Sequence, residues 1–428
     1  MSVKKFYNIG KNILFPICRS ITGPGAKKTL QIIKSEFNDL KIKKEKSGKK
    51  IFDWVIPPEW QINNAFVTDK YNNKIINFKL NNLHVVNYSI PIKKQFTKKL
   101  LLNKIHTIKK KPNAIPYITS YYKKNWGFCV THHHKKQIDK TYKENDKFFV
   151  QIDSKLKKEG ILYYGELLLK GKSTQEILIT TYICHPSMAN NELSGPIVSM
   201  CLIEHFKKKK LEKSLRFIFV PETIGALNFL EKNLSKLKKN LIGGFNLSCI
   251  GDERKYGCIL TKKENSLPDH AILEAYKKLN LKFKKYSFLK KGSDERQYNS
   301  PGIDLPIVSI FRSKYGEYPE YHTSLDDFTV VTEKGIKGGF TVAKEAIEIL
   351  LKKIVPKNKI LGEPFMQKRK LYSNINVSKN INPKRDYMNF LQYADGTLDL
   401  NQVSKKIKLD LGSTKKVYLI LKKNKLVE

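Results

Sequence analysis

The sequence lacks the marks of a secreted, membrane-spanning or disordered chain. It has only six cysteines among 428 residues and no CxxC pair, which argues against a disulfide framework and favours buried free thiols in a reducing cytoplasm. No apolar run approaches the length of a membrane-spanning helix, and the N-terminus lacks the apolar core of a secretion signal. Hydrophobic residues make up 40% of the chain and aromatic residues 11%. We therefore expect a globular, soluble, cytoplasmic protein with a large core and no membrane partner.

Acidic residues are scarce as well. There are 39 Asp and Glu against 81 Lys and Arg, which gives a net charge of +42. Such a balance suits nucleic acid or an anionic surface as a partner. The lysines, however, are scattered as pairs and short runs, such as Lys43-Lys44 and residues 207–210, and no Arg-rich arm is present. This pattern favours solvated faces over a dedicated nucleic-acid groove, although nucleic acid stays open as a partner.

Residues 148–355 show strand-like and helix-like patterns in alternation. Short apolar runs rich in β-branched residues predict strands, and the amphipathic segments between them predict helices. The predicted strands are 166–171, 176–183, 215–220, 244–252 and 305–311, and the predicted helices are 195–207, 226–238, 267–279 and 331–353. This alternation is typical of an α/β fold with a doubly wound, mostly parallel sheet covered on both faces. We assign residues 1–40, with a helix at 26–37, to the same α/β domain.

Residues 41–147 interrupt that domain with a different pattern. Short strand-like pieces separated by polar turns, at 51–56, 63–68, 74–80 and 83–90, predict a small inserted β-rich domain. Two aromatic clusters, at 53–60 and 117–129, either close a domain interface or contact a substrate. The three histidines at 132–134 are read as a solvated loop, with a metal site as the less favoured alternative, since adjacent side chains on a strand point in different directions and cannot all bind one ion.

The remainder of the chain is predicted to be a linker, 356–380, and a compact module, 381–428. Helical patterns at 387–394, 400–407 and 414–423 suit a winged-helix or helix-turn-helix module. The last of these helices is basic, yet no base-reading Arg, Asn or Gln stands out on it. The pattern therefore favours docking to a protein or a purely structural appendage, with DNA binding as the alternative.

Polar residues follow the predicted parallel strands at their carboxyl ends. They are His185 and Asn191, then Glu222, then Ser248 and Asp252, and finally His322 beyond the last strand. Because ligands of open α/β sheets bind at that edge, these side chains are expected to converge on one crevice. Two histidines and a carboxylate are the ligand chemistry of zinc, and a glutamate can serve as general base. A further turn, Arg19-Ser20 before Gly23-Pro24-Gly25, either binds an anion or is purely structural.

These segments resemble the zinc aminopeptidases of the M28 clan. The resemblance is carried by His185 with residues 191–195 (NELSG), by residues 221–226 (PETIGA), by residues 292–296 (GSDER) and by residues 322–326 (HTSLD). The chain is similar above all to a branch of aminopeptidase-like proteins with an inserted β domain and a C-terminal winged helix, often associated with bacterial surface-polysaccharide gene clusters. Residues 18–25, 53–60, 126–129 and 318–327 resemble hallmarks of that branch.

The resemblance implies a role for each matching position. His185 and His322 would be zinc ligands, Glu222 the general base or a ligand, and Asp326 the acceptor that orients His322. Asn191, Thr223 and Ser248 stand where the clan has carboxylate ligands. An amide or hydroxyl oxygen carries no charge to offset a dication, so the expectation is one zinc ion, held by His185, His322, Asn191 and Glu222. Substrate contacts are expected from four further residues: Asp294, Arg296, Glu320 and Tyr321.

The resulting hypothesis is a metal-dependent hydrolase that cleaves a peptide or amide bond with a metal-activated water. Its substrate would be a small peptide-like or amide-bearing molecule, including an acylated amino sugar. Two alternatives stay open: an inactive relative that binds a small ligand or partner in the old cleft, and a winged-helix DNA-binding regulator. Nucleophilic catalysis by Cys184 is disfavoured, because adjacent residues on a strand point to opposite faces.

Overall fold

A computed structural model describes residues 2–371 and 383–428. Residues 372–380 of the predicted linker and residues 381–382 of the predicted module lie outside the described residues. The strands of the described residues are β1 Lys41–Lys46, β2 Lys50–Ile51, β3 Trp54–Val55, β4 Glu59–Thr68, β5 Lys74–Asn77, β6 Ile92–Thr97, β7 Ile105–His106, β8 Phe128–Cys129, β9 Lys147–Lys157, β10 Ile161–Leu169, β11 Glu176–Tyr182, β12 Ser214–Val220, β13 Leu241–Leu247, β14 Gly257–Ile259, β15 Lys284–Tyr286 and β16 Ile307–Phe311.

The helices, in the same chain order, are α1 Ser2–Ile9, α2 Pro24–Glu36, α3 Lys98–Leu102, α4 His132–Thr141, α5 Ser194–Phe206, α6 Ile224–Asn240, α7 Leu267–Lys278, α8 Glu295–Tyr298, α9 Glu333–Lys352, α10 Pro383–Tyr393, α11 Leu400–Ile407 and α12 Leu411–Lys423. Two π-helical turns, Gly10–Leu14 and Ala189–Leu193, each adjoin an α-helix. In the described part of the chain, no helix is both long and apolar enough to span a bilayer.

The largest sheet has eight strands in the order β1-β10-β12-β11-β13-β16-β14-β15. Its four central strands, β12, β11, β13 and β16, run parallel, and antiparallel neighbours flank them. Alternate residues of β11 enter different cores: Ile177 and Ile179 pack on one side of the sheet and Leu178 on the other. A strand buried on both faces reads as a continuous apolar run, which is why the sequence identifies it. The predicted mostly parallel, doubly wound α/β fold is confirmed.

The inserted region has its own antiparallel sheet, β5-β4-β9-β6. Strand β9 belongs to that sheet although the sequence assigns residues 148–157 to the α/β domain. Conversely, β1 is assigned to the insertion but pairs with β10 at the edge of the large sheet. In both cases the pairing partner lies far along the chain, so local composition does not reveal it.

Two local predictions in the insertion are wrong for identifiable reasons. Residues 83–90 do not form a strand: Tyr88 has a left-handed φ of 68°, and the Asn87 amide donates to the Arg19 carbonyl at 3.0 Å. The histidines at 132–134 open helix α4 and do not lie in a loop, because the Thr131 side chain caps the helix by accepting from the His134 N–H at 3.1 Å.

The C-terminal module packs helices α10, α11 and α12 around a separate core that includes Phe390, Val403 and Leu421. It is fastened to the α/β domain by the ion pair of Lys353 with Asp399 at 2.8 Å. The final residues pair back onto the segment that follows α9, through the bridge of Asn358 with Val427. The predicted winged-helix module is confirmed.

Candidate metal and substrate site

The loop after β11 is held against the sheet by close backbone approach. It runs from Ile183 through the π-helical turn Ala189–Leu193 into α5. At Gly195, a Cβ atom would lie 2.3 Å from the carbonyl oxygen of Leu247, so only glycine lets α5 begin this close to β13. The whole loop is buried, and its polar side chains are therefore directed to partners within the protein.

His185 is anchored on one side and open on the other. Its Nδ1 donates to Oε2 of Glu192 at 2.8 Å, and its carbonyl oxygen accepts from Nε of Arg19 at 2.9 Å. Its Nε2 lies 3.7 Å from Oε2 of Glu222. Burial by itself lowers the pKa of His185, but Cys184 and the Glu192 carboxylate outweigh burial and raise that pKa well above its ordinary value.

Glu222 follows β12 and faces His185 across the crevice. Its backbone N–H donates to Sγ of Cys184 at 3.3 Å. The next residue, Thr223, has a left-handed φ of 63°, and its N–H donates to Oδ1 of Asp294 at 2.8 Å. Burial raises the pKa of Glu222 above its ordinary value, against the opposing charges of His185 and Arg296. Burial, together with the nearby Glu222 charge, likewise raises the pKa of Asp294.

In the described chain, several buried polar atoms around this crevice have no hydrogen-bond partner. They include Nε2 of His322, Oδ1 of Asn191, Oγ of Ser248 and Oε1 of Glu192. Asn191 is oriented by its Nδ2, which donates to the Tyr182 hydroxyl at 2.6 Å. The His185 and His322 ring centroids are 5.5 Å apart. Burial and the charge of His185 lower the pKa of His322 to about 3, so its imidazole is neutral and can offer a lone pair at ordinary pH.

Asp326 does not contact His322 in the expected way. Both of its oxygens serve the π-helical turn: Oδ1 accepts from the Asn190 N–H at 2.6 Å and Oδ2 from the Asn191 N–H at 2.9 Å. Oδ2 also accepts from the Tyr318 hydroxyl at 2.8 Å. The carboxylate therefore fixes the position of Asn191.

Two of the expected substrate contacts have partners within the protein. Glu320 forms a two-point ion pair with Arg254, both contacts at 2.8 Å. Tyr321 stacks on the ring of His322 with centroids 3.9 Å apart. Arg296, in contrast, lies beside Thr223 and donates to its hydroxyl at 2.7 Å.

Cys184, His185 and Glu192 form a group of three metal-type donors whose ligand atoms all lie within 4.8 Å of one another. Hydrogen bonds already join these side chains. Nδ1 of His185 is already bonded to Glu192, and Glu192 is balanced by Arg19 at 3.4 Å, with both side chains fully buried. An ion would have to displace these contacts.

Around Nε2 of His185 the residue types suit zinc, although in the described chain the ligand atoms of His185, His322 and Glu222 are not a group within 4.8 Å of one another. Nε2 of His185 and Nε2 of His322 are nitrogen donors of the kind that zinc prefers, and Oδ1 of Asn191 and the Glu222 carboxylate add oxygen. Among these four residues only Glu222 has a carboxylate, so the charge of two ions would be poorly offset. The donor set therefore suits one zinc ion and does not suit two.

A cavity of about 330 Å³ opens beside this cluster. Its walls come from both parts of the molecule: the insertion contributes Trp54, Tyr121 and Tyr122, and the strand ends contribute Glu222 and Arg296. The insertion is held over the strand ends by backbone pairing, since the Tyr117 N–H donates to the His322 carbonyl at 2.9 Å.

The sequence did not predict the roles of three residues that shape the site. Arg19 and Glu192 support His185, and the ring of Tyr117 contacts both histidines, with centroids 5.2 Å from His185 and 5.3 Å from His322. The role of Glu192 could have been predicted from the sequence, because a glutamate inside an otherwise buried loop needs a partner. Tyr117 begins the aromatic cluster 117–129, but nothing in the local sequence indicates that its ring contacts the two histidines.

Comparisons with known proteins agree with this architecture. Residues 7–353 match the family described as Domain of unknown function (DUF4910), and residues 354–428 match a winged helix-turn-helix family. A Clostridium acetobutylicum protein named as a polysaccharide biosynthesis protein with an aminopeptidase-like domain is 41% identical over 343 residues, which cover 80% of this chain and 77% of that protein.

Solved structures extend the similarity to the whole chain. A crystal structure described as a peptidase from Clostridium acetobutylicum is 35% identical, covers 100% of this chain and 96% of its own, and has a TM-score of 0.79. The zinc aminopeptidase BSAP from Bacillus subtilis is 13% identical, with coverage of 82% and 95% and a TM-score of 0.60. A peptidase M28 precursor from Shewanella amazonensis is also 13% identical, with coverage of 82% and 96% and a TM-score of 0.56. At such identities the last two establish a common fold.

Proposed function

Because this chain belongs to the DUF4910 family and has the fold of zinc aminopeptidases, we propose that it hydrolyses a peptide or amide bond with one zinc ion. The observation that carries the proposal is the set of unpartnered donors at the strand ends. Nε2 of His322 and Oδ1 of Asn191 are buried without hydrogen bonds, and Nε2 of His185 lies 3.7 Å from Glu222. Buried polar atoms without partners are costly unless a ligand satisfies them.

Each residue has a distinct task in this proposal. His185, His322 and Asn191 hold the ion, which when bound supplies a Lewis acid that polarises the amide carbonyl and acidifies water. Glu222 accepts the proton of the attacking water and delivers it to the departing amine. Its raised pKa suits that task, because a general base works best when its pKa lies near the working pH. Asp326 keeps Asn191 in place through the two backbone N–H groups.

The substrate is proposed to be a small amide-bearing molecule. The relative named for polysaccharide biosynthesis supports an acylated amino sugar alongside a short peptide. We also propose a cytoplasmic location. The six free cysteines support it, because free thiols are typical of a reducing compartment.

Zinc binding and hydrolysis should be measured separately. Competition with a chromophoric chelator is expected to give a stoichiometry of about one zinc per chain. His322→Ala should abolish this binding, whereas His270→Ala, which changes an exposed histidine bonded to Asn265, should leave it intact. Glu222→Gln should retain zinc and lose about a hundredfold or more in the rate of hydrolysis. Aminoacyl amides and N-acetylated amino sugars are the substrates to assay.

A catalytically inactive relative is the second candidate. It is favoured by one specific observation, the replacement of carboxylates by Asn191, Thr223 and Ser248. Zinc binding without hydrolysis of either substrate class would favour this candidate, and absence of both zinc binding and activity would refute the hydrolase proposal.

For the C-terminal module we propose docking to a protein. Leu411 and Leu419 on α12 are 49% and 53% exposed, and the exposed Lys415 lies between them at helical spacing. A helix that reads bases would carry hydrogen-bonding side chains at such positions. DNA binding remains the alternative that the winged-helix match favours.

A further inference from the structure

The cavity beside the histidines is built from two different chemistries. Its outer wall consists of aromatic rings from the insertion, Trp54 and Tyr122, and its inner end consists of Glu222, Thr223 and Arg296. Glu222 lines this cavity and also faces His185. A molecule in the cavity would therefore lie directly against the proposed reacting centre.

Arg296 forms no close ion pair with a carboxylate in the described chain, although its charge acts on Glu222 and Asp294 from a longer distance. Arg19 pairs with Glu192 and Arg254 pairs with Glu320. Arg296, in contrast, donates hydrogen bonds to neutral oxygens. Nη1 donates to the Gly292 carbonyl at 3.0 Å and Nη2 to the Thr223 hydroxyl at 2.7 Å. A guanidinium has five N–H donors, so three remain. Two anchoring bonds preorganise the group, and a carboxylate needs only two of the remaining donors.

The aromatic wall presents ring surface to solvent. Trp54 is 43% and Tyr122 is 54% exposed, and their ring centroids are 6.2 Å apart. The Tyr122 hydroxyl donates to the Val55 carbonyl at 2.9 Å, which fixes its ring beside Trp54. Exposed aromatic faces at a cavity mouth, with the polar edge already satisfied, are suited to stacking on a flat apolar face.

We propose that this cavity binds a ring-containing part of the substrate. That part carries a carboxylate and lies next to the amide. The carboxylate pairs with Arg296, the ring lies against Trp54 and Tyr122, and the amide is directed to Glu222. The inference rests on the proposed function for the direction of the amide, but the binding itself does not depend on catalysis. A sugar acid and an aromatic amino acid both have this chemistry, and the experiment separates them.

The test uses the full chain in chelator, so that hydrolysis does not contribute. Trp54 is the reporter, because Trp60 and Trp126 are only 2% and 8% exposed. N-acetylmuramic acid and N-acetylphenylalanine are titrated beside neutral counterparts, N-acetylglucosamine and N-acetylphenylalanine amide. We expect at least one acid to change the fluorescence saturably and to bind about tenfold or more tightly than its neutral counterpart. The acid that does so identifies the ring as sugar or aromatic.

Variants assign the two halves of the cavity. Arg296→Gln should weaken binding of that acid about tenfold or more, whereas Arg296→Lys, which keeps the charge, should lose less. Arg369→Gln removes one charge outside the cavity and should have no effect. Trp54→Phe should abolish the fluorescence change while calorimetry still detects binding. Trp54→Ala should weaken binding of the acid.

Three results would overturn the inference: equal affinity for acids and neutral counterparts, unchanged affinity in Arg296→Gln, or no saturation by either acid up to about 10 mM. These results differ from failure of the proposed function. A protein that binds the acid but never hydrolyses an amide supports the cavity assignment and refutes catalysis. A protein that hydrolyses amides without preference for acids supports catalysis and refutes the cavity assignment.

Discussion

Nδ1 of His185 lies 2.8 Å from Oε2 of Glu192, a residue only seven positions further along the same loop. A carboxylate accepts hydrogen bonds, so this contact places a proton on Nδ1, and Nε2 faces Glu222. The π-helical turn Ala189–Leu193 brings the two side chains together. Both members of the pair therefore lie in the same buried loop that leads into helix α5.

Glu192→Gln tests whether this contact supports metal binding. Loss of the carboxylate weakens the bond to Nδ1 and reduces the basicity of the ring, so zinc affinity should fall about 10- to 100-fold. Chelator competition measures the affinity directly, without any assay of activity. Glu204→Gln, which changes a partly exposed glutamate paired with Lys207, is the matched control. Equal zinc affinities in the two variants would contradict the positioning role of Glu192.

Arg19 should contribute to stability through the same buried pair. Arg19→Met removes the cation that lies 3.4 Å from Glu192, where both side chains are fully buried, and leaves Glu192 with its bond to His185. Breaking such a pair costs about 3–5 kcal/mol of unfolding free energy. Denaturant unfolding should show this loss, and Arg254→Met, at an exposed pair, should cost no more than about 1 kcal/mol.

The double variant makes the test specific. Glu192→Gln combined with Arg19→Met removes both charges, so its cost should be smaller than the sum of the two single costs. Additive costs would show that the two residues stabilise the protein independently.

The sequence was informative where local pattern and topology act together. The apolar strands and the polar residues after them predicted that His185, Glu222 and Asn191 would meet at one sheet edge, because parallel strands deliver their carboxyl ends to the same side. The π-helical turn was not predicted, since no periodicity marks it.

Contacts between distant segments could not be predicted in this way. Arg19 reaches the His185 carbonyl across 166 positions, and Tyr117 pairs with His322 through the backbone. Both contacts depend on how the insertion and the N-terminal turn fold back over the sheet. The bond between Asp326 and His322 that the resemblance implied is not formed. Both carboxylate oxygens of Asp326 instead accept from backbone N–H groups.

Asp326→Asn should therefore act on the loop. An amide offers one accepting oxygen, so its Nδ2 would face a backbone N–H of Asn190 or Asn191. An unsatisfied buried donor costs about 1–3 kcal/mol of unfolding free energy, and displacement of Asn191 should lower zinc affinity as well. Asp327→Asn, one position further in a surface turn, is the control. Wild-type stability in Asp326→Asn would show that the turn does not depend on the carboxylate.

The role of α12 can be separated from the general basic character of the chain. With a net charge of +42, the protein should bind duplex DNA weakly at low salt whatever its function, because phosphate neutralisation is insensitive to sequence. Lys415→Glu with Lys416→Glu changes two exposed lysines of α12, and Lys43→Glu with Lys44→Glu changes two exposed lysines of β1. If the module docks a protein, both pairs should weaken DNA binding to the same extent and reduce its salt dependence equally. A loss confined to the α12 variant would instead mean that the helix enters a DNA groove, since only a specific contact distinguishes two lysine pairs of equal charge.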